Sequence, residues 1–403
     1  MNSFDIRIPY VEVRNRNRDI IGIIEGAEIF FEYALHGSGE FEIYCRSTQN
    51  NLSLLKKDNY VTLPVNADTT EYQIEKNCNI WIIEKIERAN SRTGGRWITA
   101  SGREAKQIVD RRIVKNTAIL NANKNLISEI KTKLFEPNLI NPTDTSRKIN
   151  GFIFVDTSDI ITKNIDDETQ VSYENLFDYS EEFYLKYGIG AKLRFKRDTK
   201  EMPYTIYKGE NKSNLLVFSR GNENLLSTNY IEDWTEYKTC ALVGGEEKEY
   251  NETHPTTGEV INTYTKRAFI DITDKNEDID KREVFVDARD LQSEYEEKIK
   301  NAQGVEITTT KYYNDITYNA MLKERGLEKL ASENNKKIEF TGEIDVTNDR
   351  YRFNIDYYLG DVVKIRDDDF GTETLVRVSK FIKVQNEEGY KEYFEYETYE
   401  EVE

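Results

Sequence analysis

The sequence is poor in the residues that build covalent or metal-based scaffolds. Its 403 residues include three cysteines, two histidines, six prolines and three methionines. Cys45, Cys78 and Cys240 are widely spaced and odd in number, which argues against a disulfide framework or a four-ligand zinc site. We therefore expect reduced, packed cysteines. His36 and His254 offer little material for a metal site or a histidine-based catalytic triad.

The chain also lacks long apolar runs and an excess of basic residues. No apolar stretch approaches the roughly 18 residues of a membrane-spanning helix, and the N-terminus lacks the pattern of a signal peptide. We expect no membrane span and folding in a cytosol. Lys plus Arg is 56 and Asp plus Glu is 74, which gives a net charge of -18. Such a surface repels phosphate backbones, so sequence-specific nucleic-acid binding is not expected, although DNA could slide through a passage.

Aromatic residues are plentiful, and charges are interleaved with apolar positions. Aromatics make up 12% of the chain, with 26 tyrosines, which favours half-buried strands over helical bundles. Charged residues make up 32%, but they do not form blocks, so disorder is expected only in short loops. A single hydrophobic core stops growing at roughly 250 to 300 residues. We therefore predict two to four domains and a fold that is mainly β with α+β parts.

The clearest local pattern is a hairpin within residues 351–384. Apolar residues alternate along 362–365 and again along 376–384, on either side of a polar turn at 366–371. Gly360 precedes the first strand and is expected to allow a turn that a side chain would obstruct. By itself, this hairpin indicates only a β-barrel or a β-sandwich.

Residues 1–102 have the pattern of a small barrel. Alternating segments are separated by turn residues, and Trp81 and Trp97 would supply large core side chains. A closed or nearly closed sheet would remove the exposed edges of these strands. The six predicted strands cover 20–24, 28–35, 39–44, 60–64, 79–88 and 96–100.

Residues 103–212 predict an α+β insert. Ser101 and Glu104 have the spacing of a capping box, which predicts that a helix begins there. Further helices are predicted over 126–134 and 172–187, and glycines follow the second one. Short strands are predicted at 151–156, 193–197 and 205–207.

The rest of the chain predicts a second β region with a helical insertion. The β region comprises 213–290 and 336–403, and the helical insert comprises 291–335. Residues 244–266 are polar enough to suggest a long hairpin loop that projects from a sheet.

Several segments, in this order, resemble the Gp37-like tail proteins of long-tailed siphophages. SGR at 101–103 follows the first barrel. The other matching segments are YKGE at 207–210 with VFS at 217–219 and NLL at 224–226, CALVGGE at 240–246, KREVFVDARDL at 281–291, and YLGDVV at 358–363. That family is similar to the baseplate hub proteins of contractile tails and to the N-terminal hub part of tail-associated lysins. The resemblance spans nearly the whole chain and is weakest over 115–150.

The resemblance implies a homotrimer that continues a phage tail tube. Each subunit would contribute two tube-type β-barrels, one from 1–102 and one from 213–290 with 336–403. Three chains would then present six similar surfaces to a hexameric tube. The implied partners are a distal tail protein or tail tube ring above, a tape measure protein in the lumen, and tail fibre or receptor-binding proteins below. The implied location is the virion tail tip, after assembly in the host cytoplasm, with no peptidase or glycosidase domain after the last strands.

We predict no catalytic, cofactor-binding or metal-binding residues, and no cofactor. Asp367, Asp368 and Asp369 could offer carboxylates to calcium, but they lack the spacing of an EF-hand and predict a solvated turn. The glycine pairs at 94–95 and 244–245 lack the features of a phosphate-binding loop and are expected to be turns. Carboxylate pairs suited to a glycosidase are unavoidable among 74 acidic residues, so they carry no signal.

Two other functions stay open beside the preferred one. Tyr390, Tyr393, Phe394, Tyr396 and Tyr399 could stack on sugars, as in a carbohydrate-binding or receptor-binding tail protein, although aromatics at period two are more typical of sheet faces. A peptidoglycan hydrolase is the third possibility. The preferred function is a structural baseplate hub that closes or extends the tail tube and serves DNA ejection, whose acidic lumen would keep the duplex from sticking.

Overall fold

The computed structural model describes most of the chain. It covers residues 8–64, 79–91, 95–273, 278–300, 306–333, 337–345, 350–367 and 372–399. Strands dominate over helices in these residues and form several sheets, which confirms the predicted mainly β fold class. Among the described helices, none has the length and apolar character needed to cross a membrane.

The strands are numbered in chain order. The first group is β1 (Tyr10–Arg14), β2 (Ile20–Glu25), β3 (Glu28–Ala34), β4 (Glu40–Arg46), β5 (Tyr60–Thr62), β6 (Trp81–Ser91) and β7 (Gly95–Glu104). The middle group is β8 (Ala118–Leu120), β9 (Phe152–Val155), β10 (Thr169–Val171), β11 (Gly190–Leu193), β12 (Met202–Tyr207), β13 (Val217–Phe218) and β14 (Leu225–Asp233). The last group is β15 (Cys240–Thr253), β16 (Val260–Ile272), β17 (Glu283–Asp287), β18 (Glu294–Lys300), β19 (Glu306–Tyr312), β20 (Lys337–Ile344), β21 (Val362–Asp367), β22 (Thr372–Asn386) and β23 (Gly389–Thr398).

The helices are fewer and lie mostly in the middle of the chain. The α-helices are α1 (Gln49–Leu54), α2 (Leu126–Glu129), α3 (Leu176–Tyr187) and α4 (Asp315–Glu333). Helix α2 continues directly as the π-helix Ile130–Ile140. Short 3₁₀ helices cover Ala105–Arg111, Thr145–Arg147 and Asp278–Asp280.

One sheet of 13 strands joins the N-terminal and C-terminal parts of the chain. Its order is β14-β20-β23-β22-β3-β4-β7-β6-β5-β1-β2, with β21 paired to β22 and β13 paired to β21. The two parts meet where β3 pairs antiparallel with β22, from Ala34 opposite Lys380 to Ile29 opposite Gln385. We call this pairing the seam. The proposed superposition of the two parts, and the predicted domain boundaries, stay predictions.

A single hydrophobic core lies under both sides of the seam. The rings of Tyr33 and Phe381 lie 6.2 Å apart across it, and Trp81 packs edge-on against Tyr33 at 5.1 Å. Phe353 stacks on Phe381 with 3.9 Å between ring centres. Because aromatic side chains bury large areas, this cluster ties the two parts together.

The hairpin predicted in residues 351–384 is confirmed as β21 and β22. Gly360 has a φ of +85°, a left-handed conformation that residues with a side chain rarely adopt. Val363 and Ile365 of the following strand are buried and Lys364 is only partly buried, as the alternation predicted, but Val362 is buried as well.

Residues between β7 and β13 form most of a second core, to which Tyr60, Ile80 and Ile82 of the N-terminal part also contribute. Strands β9, β11 and β12 make a small sheet, and β8 pairs with β10. Helix α3 was predicted to begin at 172 but begins at Leu176, because the Asn175 side chain accepts hydrogen bonds from the amides of Phe177 and Asp178. It ends at Gly188, which has a φ of +59°, as predicted.

A third core forms between helix α4 and the sheet β16-β15-β17. Tyr318, Met321 and Leu322 of α4 are buried against Val243 and Val286. Strands β13 and β14 lie in the 13-stranded sheet, while β15, β16 and β17 form this separate sheet with α4. The 213–290 segment is therefore divided between two cores.

The other side of α4 meets α3 and its surroundings through charged groups. The Arg325 guanidinium bonds to Glu174 at 2.9 Å, to Asp290 at 3.1 Å and to the Gln170 carbonyl at 2.8 Å. Lys186 of α3 pairs with Glu324. We call this surface the α3–α4 contact.

The helix predicted to begin at Ser101 is wrong at that position. Residues 101–104 are the end of β7, where Ser101 pairs with Glu42 of β4. The Glu104 carboxylate accepts hydrogen bonds from the amides of Ala34, at the end of β3, and Gly39, just before β4, instead of capping a helix. The short helix begins only at Ala105.

The predicted helical insert 291–335 is wrong over its first half. Strands β18 and β19 pair as a hairpin, and helix α4 begins at Asp315. Tyr295 and Ile299 are four residues apart, a spacing that places residues on one face of a strand as well as a helix. The β-branched run from Ile307 to Thr310 favours the strand.

The predicted loop 244–266 is also largely wrong. Most of it is paired within β15 and β16, and the hairpin turns at residues 254–259. The glycine pair Gly244–Gly245 lies inside β15 and not in a turn, since Gly245 faces Tyr318 and Leu322 of α4. Of the other glycine pair, Gly95 begins β7 and Gly94 lies outside the described residues.

Candidate functional site

Eight neighbouring strands of the large sheet form a layer with one polar face. The layer runs β14-β20-β23-β22-β3-β4-β7-β6, across the seam. In β3 and β4, buried residues alternate with partly or fully exposed ones, so one side of the layer faces the core and the other does not. We call the outward side the polar face. Its described side chains include Glu343, Lys391, Tyr393, Glu395, Lys380, Ile382, Val384, Glu28, Phe30, Glu32, Glu40, Glu42, Tyr44, Arg46, Trp97, Thr99, Ser101, Arg103, Lys85 and Glu87.

The strand register keeps this face continuous from one side of the seam to the other. Val384 lies opposite Lys391 of β23 and opposite Phe30 of β3. Phe30 in turn lies opposite Glu42, which lies opposite Ser101. Because directly opposed residues point to the same side of a sheet, these side chains form one row across five strands.

An ionic ladder crosses the seam on the polar face. Lys380 Nζ lies 3.5 Å from Glu32 Oε1 and 3.3 Å from Glu395 Oε2. Burial raises the pKa of Glu32, and Lys380 partly offsets that rise. Although burial alone would lower it, the Glu32 and Glu395 carboxylates hold the pKa of Lys380 above its usual value. The ladder therefore places one cation between two carboxylates at the seam, which partly neutralises their negative charge.

Carboxylates dominate the polar face beside the seam. Glu28 and Glu32 on β3, with Glu40 and Glu42 on β4, are accompanied on those two strands by the single cation Arg46. The sequence could not reveal which acidic residues share a face, because their grouping depends on the register between strands.

The layer has an incompletely paired strand at each end. Within the described residues, β14 pairs only with β20. In the same described residues, β6 pairs with β5 only at Trp81 and Ile82, while its pairing with β7 continues to Ser91. Among the described residues, the outer half of β6 and the whole of β14 therefore have one unpaired side, which could accept a further strand.

Residues 34–37, at and just after the end of β3, connect the large sheet to the insert through hydrogen bonds. Buried Lys106 donates to the carbonyls of Ala34 at 2.7 Å, and of Leu35 and Ala191 at 3.4 Å. The buried Glu181 carboxylate accepts from the Gly37 amide at 2.8 Å, and burial raises its pKa to about 7.

The two histidines lie in different parts of the structure. His36 lies beside Gly37 in the segment after β3. Burial and the nearby cations Lys106 and Arg377 lower the pKa of His36 to about 3. His254 lies in the turn of the β15–β16 hairpin, where its Nδ1 accepts from two backbone amides. The two histidines therefore do not share a site.

Other predicted candidates are not brought together. Asp367 ends β21, and Asp368 and Asp369 lie outside the described residues. Phe394 and Tyr396 are buried in the sheet core, so the aromatic strip near the C-terminus is not one exposed platform. The part of the chain that the structure describes contains no cluster of three His, Cys, Asp or Glu residues suited to a metal ion.

The cysteines are placed as expected where they can be seen. Cys45 and Cys240 are buried and free. Cys78 lies outside the described residues.

Two solved structures with the same fold are tail proteins. The 43 kDa tail protein of prophage MuSo2 from Shewanella oneidensis has a TM-score of 0.53 and 10% identity, with 96% of this chain and 98% of that chain covered. A tail protein from Neisseria meningitidis MC58 has a TM-score of 0.52 and 10% identity, with 96% of each chain covered. At this identity the likeness shows a shared fold. No curated protein matches the sequence.

The family model described as siphovirus ReqiPepy6 Gp37-like protein matches residues 10–393, which is nearly the whole chain. This match confirms the resemblance inferred from the ordered segments, and the chain belongs to the siphovirus Gp37-like protein family.

Proposed function

We propose that this protein is a structural subunit of a phage tail tip, a baseplate hub that assembles as a homotrimer around a channel. The observation that carries the proposal is the continuous eight-stranded layer, which has one polar face and, among the residues that the structure describes, an open strand at each end. A ring of three such layers would place three polar faces around a common lumen. The channel and attachment platform for other tail proteins follow from that arrangement.

The charges of the polar face suit a passage for DNA. Glu28, Glu32, Glu40 and Glu42 would present like charge to the phosphate backbone, so the duplex would slide without sticking to the wall. Lys380 would remain engaged with Glu32 and Glu395 and so would not offer phosphates a free cation.

The open strands suggest how the ring closes. If β14 of one subunit pairs with the outer half of β6 of the next, the contact is head to tail, and a threefold rotation closes it. Backbone hydrogen bonds between subunits would then remove both open edges.

The further partners follow from a position at the tail tip. A tail tube ring or distal tail protein would sit above the trimer, the tape measure protein would end in the lumen, and fibre or receptor-binding proteins would attach below. The protein would act in the virion, after assembly in the host cytoplasm, and would have a structural role instead of an enzymatic one.

The first experiment is the mass of the purified protein by light scattering over a concentration series, with negative-stain images of the same sample. A mass near three times 47.2 kDa and a ring with a central hole are expected. A monomer at every concentration, also when mixed with a tail tube ring protein, would contradict the trimer.

Disulfide trapping tests the predicted edge pairing. Ser227→Cys on β14 is combined in turn with Lys85→Cys, Glu87→Cys or Ala89→Cys on β6, and the oxidised proteins are run on a non-reducing gel. At least one pair should give covalent dimers and closed trimers. The combination of Ser227→Cys with Lys124→Cys in the insert is the matched control. Equal cross-linking by that control would overturn the edge pairing.

A further inference from the structure

A cleft in the insert concentrates positive charge in a strongly acidic chain. It has a volume of about 660 Å³ and lies between β8, the π-helix and the 3₁₀ helix Thr145–Arg147. Lys115, Lys133 and Arg147 line it. A smaller hollow of about 280 Å³ shares Arg147 and adds Arg111 and Arg112. We call the two together the cationic cleft.

Two of its arginines are held by neutral groups. Arg112 donates to the carbonyls of Arg147 at 2.6 Å and Arg111 at 2.8 Å. Arg147 donates to the carbonyl of Ile113 at 2.6 Å and to the amide oxygen of Asn138 at 3.3 Å. Within the described residues, neither arginine forms a salt bridge, and the buried Nε of Arg147 has no hydrogen-bond partner.

The approach of these cations to one another carries an electrostatic cost. Burial, together with the nearby charges of Arg147 and Arg111, lowers the pKa of Arg112. An anion bound beside Arg147 would offset this repulsion. Arginine forms paired, charge-assisted hydrogen bonds with phosphate and carboxylate oxygens.

The carboxylates that line the cleft are already engaged. Asp144 Oδ1 accepts from the amide and the hydroxyl of Ser146, at 3.1 and 2.6 Å. Asp110 Oδ1 accepts from Asn175 Nδ2 at 2.7 Å. Neither carboxylate makes a salt bridge with Arg112 or Arg147 within the described residues, so the guanidinium groups keep donors for a ligand.

The cleft is larger than a single phosphate ion requires. Its volume falls within the range of roughly 300 to 1,000 Å³ that is usual for small-molecule sites. Its wall also includes the apolar side chains of Ala118, Ile119, Pro137 and Pro142. This mixture fits a ligand with an anionic group and a carbon skeleton.

We propose that the cationic cleft binds a phosphate ester of a small polyol or sugar, with Lys115, Lys133 and Arg147 around the phosphate and the apolar wall against the carbon skeleton. The site lies on the surface of the insert and does not depend on the proposed hub, because it requires neither the polar face nor the trimer. The shared chemistry could come from a monoester or from a phosphodiester polymer.

Calorimetric titration of the full-length protein at low ionic strength tests the proposal. The probes are glycerol 3-phosphate, ribose 5-phosphate, the diester glycerophosphoglycerol, inorganic phosphate and glycerol. Saturable binding of at least one ester is expected, with no binding of glycerol and weaker binding of inorganic phosphate. Preference for the diester would identify a polymer as the source, and preference for a monoester would identify a free metabolite.

Substitutions assign the binding to this cleft. Lys115 and Lys133 are exposed, so Lys115→Gln and Lys133→Gln should fold normally and weaken ester binding by roughly tenfold each. Lys124→Gln, an exposed lysine of the same insert outside the cleft, should leave binding unchanged. No binding of any ester at millimolar concentration, an equal loss in the Lys124 variant, or inorganic phosphate binding as tightly as the esters would each overturn the proposal.

Discussion

The seam and the α3–α4 contact each join two parts of the molecule, but through different kinds of interaction. The seam combines backbone pairing between β3 and β22 with a shared aromatic core. The α3–α4 contact relies on buried ions, with Arg325, Glu324 and Glu328 all largely hidden from solvent. Apolar burial depends little on pH and salt, whereas buried ions depend on the protonation and pairing of each partner. The two parts of the large sheet should therefore stay joined under conditions that release α4.

The largest effect is expected from the aromatic core of the seam. Phe381→Ala removes a fully buried ring that contacts Tyr33 and Phe353, and should lower the free energy of unfolding by about 4 kcal/mol. Denaturant unfolding of the variant measures this loss. Ile382→Ala is the matched control, since Ile382 points to the polar face and should cost much less. Similar losses in both variants would contradict the continuous core.

Removing the central cation of the α3–α4 contact should have the next largest effect. Arg325→Ala leaves Glu174, Asp290 and Glu328 without their shared partner, which should cost roughly 3 kcal/mol. The loss should appear as faster hydrogen exchange in α4 and β15, with β3 and β22 unchanged. The control is Arg289→Ala, whose side chain is 63% exposed and should matter little. Uniformly faster exchange across the seam would show that the two junctions are not independent.

The same contact should respond to pH in a defined direction. Burial raises the pKa of Glu328 to about 7, while Arg325 and Lys186 partly oppose the rise and Glu182 and Glu174 add to it. A raised pKa means that the folded form holds a proton more tightly than the unfolded form does. This stabilisation is complete below the unfolded value near 4.5 and is lost as pH rises through about 7.

The contact should consequently be weaker at pH 8 than at pH 5, by on the order of 1–2 kcal/mol. Glu328→Gln should remove most of this change, because the amide cannot ionise. Urea unfolding at several pH values checks this, and the exposed Glu259, in the turn of the β15–β16 hairpin, supplies the control Glu259→Gln. A Glu328→Gln protein with the original pH profile would contradict the assignment, in which case Glu181, also with a pKa raised to about 7, would be the next residue to replace.

Local patterns predicted the strands well where periodicity was unambiguous. The β21–β22 hairpin and the six predicted N-terminal strands, which correspond to β2–β7, follow from period-two alternation and turn residues. Prediction failed where two periods coincide, as at Tyr295 and Ile299, and where a capping pattern sits in a strand, as at Ser101 and Glu104. Strand pairing decided the outcome in both places, since β18 pairs with the neighbouring strand β19 and β7 pairs with the more distant strand β4.

The candidate site was much less accessible to sequence reasoning. The polar face depends on the register of eight strands, two of which, β3 and β22, are separated by more than 300 residues. The abundance of acidic residues concealed which of them share a surface. The cationic cleft was hidden for a similar reason, because Arg112 and Arg147 are brought together only by the packing of the insert.

The smallest effect is expected from the ionic ladder that crosses the seam on the polar face. Lys380→Gln removes a cation that lies within 4 Å of both Glu32 and Glu395, and should cost about 1 kcal/mol because the ladder is only partly buried. The combination with Glu32→Gln should be less than additive, since the two residues share one interaction. Unfolding of the two single variants and the double variant measures that coupling, and raising the salt concentration should reduce it. Full additivity would mean that backbone pairing and aromatic packing alone hold the seam, and that Lys380 serves only to neutralise charge on the polar face.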